Sequence, residues 1–475
     1  MASSDVKYAV DLQCEKNNQA HRTDVMSTQR LIVRRGQAFH ITVQVNKDKF
    51  TIDHKDIVFS VETGPMTSES LGSKCLFQLK SMNPKQWSGE VVSTTETTLV
   101  LAVFPPPNAK IGRYSLTLLN PTGQEYLKST LGEFVVLFNP WCPEDDVFLN
   151  NEDQRQEYIM NQNGLIFNGN INSILARPWS FGQFEEGVLD ACLKILDKNL
   201  KFLQNPAKDI IRRNDPVYIC RVVSAMVNSN DDKGVLYGKW NKPFTDGTYP
   251  WSWNGSVAIL NQWYREDGQA VRYGQCWVFA GVACTVLRCL GIPSRVVTNF
   301  NSAHDTNGDL IIEELIDESG KIRGESVWNF HVWIEAWMAR NDLKSGYDGW
   351  QAVDPTPQER SQALYCCGPA PVKAIKEGAV EMKYDVPFIY AEVNADIVTS
   401  IRGMDGTKQI TSVKTRHVGQ FISTKTCGSN NRDDITNDYK FHEGTEQERQ
   451  IFNEARLRSK LKVAPFGEHG LQTSS

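Results

Sequence analysis

One cysteine stands where nucleophilic chemistry is expected. Cys276 opens a nearly apolar stretch that runs to Leu290 and is followed by Gly291 and Pro293, the usual stop signals of a helix. A helix N-terminus carries about half a positive charge, which stabilises a thiolate, and its free backbone N–H groups can bind an oxyanion. By position alone, however, Cys276 is more often one of several packed core thiols.

The neighbours of Cys276 favour a nucleophile, because the grouping Gln275-Cys276-Trp277 resembles the one around the nucleophile of papain-like enzymes. A cysteine nucleophile needs a general base, and the base needs a group that orients it. His331 lies in the aromatic segment WNFHVW at 328–333, and Asp354 ends the apolar segment GWQAVD at 349–354. Taken singly, His331 is more often a satisfied core histidine and Asp354 a turn cap. The order Cys276, His331, Asp354 on successive elements of one block is the order of papain-like enzymes, and it predicts a catalytic triad.

Acidic and amide side chains cluster in three places. Calcium binds six to eight oxygen atoms from carboxylates, amides and backbone carbonyls, so these are suitable ligand atoms. Isolated clusters of this kind are more often solvated turns in which Asp or Asn bonds its own backbone, and both interpretations stay open. The clusters are residues 228–232, residues 305–309, and a dispersed set made of Asn394, Asp396, Glu443 and Glu448.

The first block, residues 1–140, is predicted to be an immunoglobulin-like antiparallel β-sandwich. Apolar and polar residues alternate with period two, turn signals are frequent, and we find no helical stretch. The predicted strands are 39–45, 57–61, 97–103, 114–118 and 134–138.

The second block, residues 141–462, is predicted to be α+β and to carry the chemistry. Eleven of the twelve tryptophans lie between Trp141 and Trp350, so the large aromatic core belongs here. Helical periodicity appears at 188–196 and 276–290, and strand patterns at 294–300 and 327–337. Residues 463–475 are predicted to be a polar tail.

The composition excludes several classes of protein. The chain has 475 residues, of which 40% are hydrophobic and 23% are charged, as in ordinary globular proteins. Its net charge of −5 gives no reason to expect nucleic-acid binding. No segment is long and apolar enough to span a membrane, and the absence of an apolar signal segment predicts a cytoplasmic location. Eleven scattered cysteines fit reduced thiols in that compartment.

Longer motifs identify the chain as a member of the animal transglutaminase family. The resemblance extends from Met1 to about Pro465, and it includes both predicted blocks. It implies a papain-like core behind the sandwich. The motifs are RRGQ at 34–37, LFNPWC at 137–142, GQCWVF at 274–279, WNFHVW at 328–333, GWQAVDPTPQE at 349–359 and YCCGP at 365–369.

The resemblance implies a calcium-dependent acyl transfer from glutamine residues of protein substrates. Cys276 would attack the γ-carboxamide, ammonia would leave, and a lysine ε-amine, a polyamine or another primary amine would convert the thioester into an isopeptide bond. His331 would move the protons and Asp354 would hold the imidazole. Trp240 matches the residue whose indole N–H stabilises the oxyanion in the family.

The resemblance also assigns the calcium ligands to three sets. The first set is Ala225, through its carbonyl, with Asn228, Asn230 and Asp232. The second is Asp305, Asn307, Asp309 and Glu325, and the third is Asn394, Asp396, Glu443 and Glu448.

Other functions stay open at this point. Full-length animal members carry two further β-domains after the core, whereas this sequence ends at Ser475, so the resemblance does not extend to regulation by guanine nucleotides. The chain could be a weak or inactive scaffold, or a glutamine deamidase or thiol amidase in which water replaces the amine. The joint presence of Cys276, His331, Asp354 and Trp240 argues against the inactive scaffold.

Overall fold

The computed structural model describes residues 8–44 and 56–463. Its N-terminal block consists of two facing β-sheets. One sheet has the strand order β1-β3-β7-β6 and the other has the order β2-β9-β8-β4-β5. Apolar side chains from both sheets form one core between them, which confirms the predicted sandwich. The strands are β1 Val10–Asp11, β2 Leu31–Arg34, β3 Phe39–Gln44, β4 Val58–Thr63, β5 Lys74–Gln78, β6 Ser88–Thr94, β7 Thr98–Phe104, β8 Gly112–Thr122 and β9 Glu125–Leu137.

Two features of this block differ from the prediction. A short helix, α1 (Cys14–Ala20), precedes β2, and β2 pairs with β9 in parallel although the other strand pairs of the sandwich are antiparallel. Sequence CEKNNQA has no apolar period that would reveal a helix. Tertiary hydrogen bonds hold it instead: the Asn17 amide donates to the His40 carbonyl at 2.6 Å, and the Ile32 N–H donates to Asn18 Oδ1 at 2.9 Å.

The second block is α+β, as predicted. Its helices are α2 Glu152–Arg155, α3 Val188–Lys198, α4 Leu200–Gln204, α5 Pro206–Ile210, α6 Pro216–Val227, α7 Val257–Arg265, α8 Cys276–Leu290, α9 Val372–Lys376, α10 Val386–Asn394, α11 Thr436–Tyr439 and α12 Glu446–Val463. Its strands are β10 Asn163–Asn170, β11 Ser173–Ser180, β12 Leu236–Gly238, β13 Val271–Gly274, β14 Ser294–His304, β15 Ile311–Ile316, β16 Ile322–Gly324, β17 Ser326–Met338, β18 Gly349–Asp354, β19 Arg360–Ser361, β20 Leu364–Tyr365, β21 Cys367–Pro371, β22 Asp396–Arg402, β23 Lys408–Lys414, β24 Gln420–Lys425 and β25 Arg432–Asp434. A π-helical turn, Gln156–Met160, and a 3₁₀ turn, Pro250–Ser252, complete it.

A six-stranded antiparallel sheet with the order β21-β18-β17-β14-β24-β25 organises this block. Helix α8, which is buried along its whole length, shares an apolar core with Val332 and Ile334 of β17. Helix α10 shares a second core with Trp333 of the same strand. Because successive side chains of a strand point to opposite faces, α8 and α10 cover opposite faces of the sheet. The helix predicted at 276–290 is confirmed at both ends.

A buried ion pair joins the sandwich to the second block. Arg35, which directly follows β2, donates from Nε to Asp145 at 2.7 Å, and both side chains are almost completely buried. Arg35 also donates to the carbonyl oxygens of Ala109 and Asn214 at 2.8 Å each. Removing one partner of such a pair typically costs about 3–5 kcal/mol because the other charge stays buried. Arg35 of the RRGQ segment thus links the sandwich to the second block.

Three observations concern the chain as a whole. All eleven cysteines are free thiols, as predicted. In the described part of the chain, the helices are too short or too polar to cross a membrane. The tail predicted at 463–475 lies outside the described residues except for Val463, the last residue of α12.

Candidate active site

A parallel strand pair brings Trp240 next to Cys276. Strands β12 and β13 pair in parallel, and Gly238 lies opposite Gly274 at their shared end. Trp240 and Cys276 each follow these glycines by two residues, so both lie at the same edge. The Lys239 N–H donates to the Gly274 carbonyl at 3.1 Å, which closes this edge.

The central sheet brings His331 and Asp354 together. They come from the antiparallel neighbours β17 and β18, where the register places them diagonally on one face. His331 Nε2 lies 2.6 Å from Asp354 Oδ2, and the backbone N–H of Thr356 donates to Asp354 Oδ1 at 2.9 Å. Cys276 and His331 line the same cavity, and the Cys276 side chain also acts to raise the pKa of the imidazole. Since Asp354 occupies Nε2, the ring offers Nδ1 to the thiol, and the three predicted residues form one connected unit.

Burial and charge act in opposite directions on His331. Burial of the ring disfavours the imidazolium, but the Asp354 carboxylate outweighs it, so that the pKa of His331 is raised well above its usual value. A proton on the imidazole pairs favourably with a thiolate on Cys276. The geometry therefore suits an imidazolium that Asp354 holds beside Cys276.

An apolar cavity of about 190 Å³ opens at the Cys276 thiol. The indole rings of Trp240 and Trp328 form two of its walls. Trp240 is 37% exposed and Trp328 is 39% exposed. The Trp240 ring stacks on Phe279 with a centroid distance of 6.3 Å, and a Cβ at Gly238 would lie 2.8 Å from that indole. Trp240 is therefore a cavity residue and not a core residue. The lining residues are Trp240, Cys276, His304, Trp328, His331, Thr356, Pro357 and Gln358.

Two polar residues near the triad escaped the sequence analysis. The Gln358 amide lies 3.0 Å from Asp354 Oδ2 and 3.1 Å from Glu392 Oε1. Glu392 Oε1 lies 3.7 Å from His331 Nε2, and burial raises the pKa of Glu392 to about 8. Gln358 lies inside the motif at 349–359, which was a usable signal, but the sequence carries none for Glu392.

The first predicted calcium set gathers around the end of α6. Ala225 lies in its last turn, where carbonyl oxygens lack partners within the helix. Asn228 directly follows α6 and accepts a hydrogen bond from the Asn230 N–H at 3.1 Å. Asp232 Oδ1 is buried and has no hydrogen-bond partner among the described residues, and burial raises the pKa of this carboxyl to about 7. A buried carboxylate oxygen without a donor is the kind of atom that a cation satisfies.

The second set forms one loop cluster. The Asp305 carboxylate accepts three backbone N–H groups of its own loop at 2.8–3.2 Å, including that of Asn307, which is the Asx-turn geometry considered above. Glu325 reaches the same loop, where its Oε1 accepts the Thr306 N–H at 2.7 Å. Burial raises the pKa of Asp305, and the carboxylates of Glu325 and Asp309 raise it further. The loop thus holds three acidic groups close enough to repel each other.

The third set is assembled from α10, β22, the loop before α12 and the first turn of α12. The Asn394 amide donates to Glu448 Oε1 at 3.0 Å, and burial raises the pKa of both Asp396 and Glu443. Asn394 Oδ1 and Glu443 Oε2 are buried without hydrogen-bond partners within the described ranges. These orphaned oxygens fit a hard cation.

Two basic residues, missed from the sequence, lie among these acids. Arg449 donates to both oxygens of Asp396, at 2.8 and 3.1 Å, and to both oxygens of Glu448. Lys440 donates to Glu443 Oε1. A guanidinium therefore balances two of the carboxylates in the third set.

Comparison with known proteins agrees with this architecture. Residues 8–120 match the family described as "Transglutaminase family", and residues 248–355 match the "Transglutaminase-like superfamily". Protein-glutamine gamma-glutamyltransferase 2 of Gallus gallus is 52% identical over 461 residues, which cover 96% of this chain and 67% of the relative. The Homo sapiens protein of that name is 50% identical over 465 residues, covering 97% of this chain and 68% of its own length.

A solved structure shows the same fold. The crystal structure of red sea bream transglutaminase matches with a TM-score of 0.85 at 43% sequence identity, over 94% of this chain and 67% of that chain. This chain thus spans about two thirds of the length of the three relatives. Since sequence and fold agree over nearly all of the described residues, the chain belongs to the transglutaminase family of acyl-transferring enzymes.

Proposed function

We propose that the protein transfers the γ-glutamyl group of a protein-bound glutamine to a lysine ε-amine, or to a polyamine or other small primary amine, through a thioester on Cys276. The observation that carries this proposal is the linked Cys276–His331–Asp354 unit at the base of an apolar cavity, in a chain that is 52% identical to a protein-glutamine gamma-glutamyltransferase. The narrow apolar walls suit the methylene chain of a glutamine or lysine side chain.

In the acylation half, the Cys276 sulfur attacks the carboxamide carbon and a C–S bond forms. The developing oxyanion receives the Trp240 indole N–H and backbone N–H groups of the first turn of α8. The C–N bond then breaks, and His331 gives its proton to the nitrogen so that ammonia leaves. Asp354 keeps the ring in the tautomer and orientation that this transfer requires.

In the second half, the amine attacks the thioester carbon. His331, now neutral, takes a proton from the amine nitrogen as the isopeptide C–N bond forms. The C–S bond breaks, the thiolate returns, and the starting ion pair is restored. The indole walls limit the access of water to the thioester, which favours the amine over hydrolysis.

A labelling assay tests this function against its alternatives. The protein is incubated with casein and a dansylated primary amine, with and without calcium, and both fluorescence in the protein band and released ammonia are measured. Incorporation of the label supports the transferase. Ammonia release without incorporation would assign a deamidase or amidase, and neither signal would leave an inactive scaffold.

We further propose that calcium binds the three acidic sets. The orphaned oxygens of Asp232, Asn394 and Glu443 and the mutual repulsion of the acids around Asp305 support this proposal. Calcium would supply positive charge that relieves this repulsion and would fix the loops that carry the ligands.

We expect removal of calcium to abolish label incorporation. Excess chelator should reduce incorporation to background, and magnesium should restore it poorly because it demands tight octahedral geometry and keeps its waters. Asp232→Asn keeps the shape of the side chain but removes one charge, so calorimetry should show calcium affinity at one site lowered by about tenfold or more. The matched control is Asp405→Asn in an exposed turn, which should bind calcium as the parent does. Full activity in chelator would contradict the calcium requirement.

We expect Arg449→Met to increase the stabilisation that calcium provides. The guanidinium holds oxygens that calcium would need, so its removal should lower the metal-free melting temperature and raise calcium affinity at the third set. Thermal melts with and without calcium measure both effects. Arg458→Met, on the exposed side of the same helix, is the control and should leave the calcium-dependent shift unchanged. A variant destabilised equally in both conditions would show that calcium does not use these carboxylates.

A further inference from the structure

The carboxamide of Gln358 lies across the hydrogen bond between His331 and Asp354. Its nitrogen lies 3.0 Å from Asp354 Oδ2, 3.1 Å from Glu392 Oε1 and 3.0 Å from His331 Nε2. An amide nitrogen carries two N–H donors. Because His331 Nε2 uses its own proton toward Asp354, the two donors of Gln358 go to Asp354 Oδ2 and Glu392 Oε1.

We propose that Gln358, held in place by Glu392, is a positioning residue of the acyl transfer, fixing Asp354 so that His331 presents its free ring nitrogen to Cys276. The proposal deepens the function proposed above and rests on it.

The hydrogen bonds on Asp354 support this role. Its Oδ2 receives both the imidazole N–H and the Gln358 amide, while its Oδ1 receives the Thr356 N–H. Three donors from three directions define a single orientation of the carboxylate, and groups of this kind commonly set the orientation of a catalytic or metal-bound histidine.

The position of Gln358 at the wall of the cavity also supports this role. Gln358 is half-buried and lines the cavity at Cys276, whereas Asp354 is 1% exposed. The amide therefore separates the cavity from the buried His331–Asp354 hydrogen bond. Without it, water from the cavity could compete for Asp354 and weaken the orientation of the ring.

Glu392 in turn anchors the amide. Its side chain is 1% exposed, and the backbone of this residue is fixed because its carbonyl accepts the Asn299 amide at 2.8 Å. Glu392 Oε2 has no hydrogen-bond partner in the part of the chain that the structure describes. The hydrogen bond from the Gln358 amide to Oε1 is therefore the one that this carboxyl accepts among those residues. Breaking this hydrogen bond would leave a buried polar group without a partner, which is unfavourable, so the bond keeps the Gln358 amide in place.

We expect Gln358→Met to lower kcat for amine incorporation by about 10–100-fold with little change in KM, because the side chain keeps its length but loses both donors. A role limited to packing would lower the melting temperature and leave kcat unchanged. A second measurement does not need transferase activity: the rate at which iodoacetamide alkylates Cys276, followed by peptide mass spectrometry, should fall with kcat. If iodoacetamide alkylates Cys276 of the parent protein but the protein transfers no amine, the proposed function fails. The alkylation rates of the parent and of Gln358→Met then still test the positioning role.

Variants of Glu392 test whether it acts through Gln358. Glu392→Gln keeps an acceptor oxygen, so its kcat should stay within about threefold of the parent. Glu392→Leu should lose about as much as Gln358→Met, and the double variant should lose no more than either single variant. Gln420→Met is the control for the chemical change, because the Gln420 amide donates to the Arg416 carbonyl and does not line the cavity. The proposal would be overturned if Gln358→Met kept the kcat and the alkylation rate of the parent. It would also be overturned if Glu392→Gln and Glu392→Leu lowered kcat equally, or if the loss of kcat in the double variant were the product of the two single losses.

Discussion

Cys276→Ala should reduce incorporation of a dansylated amine by on the order of 10⁴-fold or more, to the background of the assay. The sulfur is the atom that holds the acyl group between the two halves of the reaction, and alanine offers no replacement. Cys276 is 8% exposed and behaves as a small hydrophobe in packing, so the fold and calcium binding should persist. Thermal melts and calorimetry beside the labelling assay measure all three properties.

The control for this variant lies on the same helix. Cys284→Ala removes a completely buried thiol two turns further along α8 and should lower stability while leaving kcat near that of the parent. Mass spectrometry should also detect an acyl adduct on Cys276 in the parent and in Cys284→Ala but not in Cys276→Ala. Residual turnover near the parent level in Cys276→Ala would remove this residue from the role of nucleophile.

Trp240→Phe should lower kcat by about 10²–10³-fold, the usual loss when one oxyanion donor is removed. Phenylalanine keeps an aromatic ring over Phe279 but has no N–H. The loss should fall on kcat and not on KM, since the ground-state carboxamide needs the hydrogen bond less than the oxyanion does. Because Trp240 is 37% exposed, the change should cost little stability. Steady-state kinetics with a glutamine peptide and a thermal melt measure the two effects separately.

Trp141→Phe is the matched control. The indole N–H of Trp141 donates to Glu152 at 3.0 Å outside the cavity, so its loss should leave kcat unchanged. A Trp240→Phe enzyme with normal kcat and a lowered melting temperature would return Trp240 to a packing role.

The elements that carry the site could be read from the sequence because they are encoded locally. The apolar run at 276–290 and its Gly291 stop specify α8 through helical hydrogen bonds and the left-handed conformation that glycine adopts at its end. Period-two alternation similarly marked the strand that became β3, and strand-like segments marked those that became β7 and β17. The residue types of the triad also follow from chemistry, since a thiol nucleophile requires a base and an orienting acid.

Contacts between distant segments could not be read in this way. Helix α1 has no apolar period and depends on bonds from Asn17 and Asn18 to segments that follow it. The sequence did not predict Arg449 and Lys440 as partners of the third acidic set, because an ion pair produces no periodic pattern in the sequence.

The residue types and their order along the chain determined a cysteine helix, a histidine strand, an aspartate strand and three groups of acidic and amide side chains. Tertiary structure alone decided that Trp240 lies beside Cys276, through the parallel pairing of β12 with β13. It also decided that Gln358 bridges Asp354 to Glu392, which lies 34 positions from Gln358. The physical reason is that periodicity and capping act within a few residues, whereas the position of a side chain across a sheet or between helices depends on how the complete core packs.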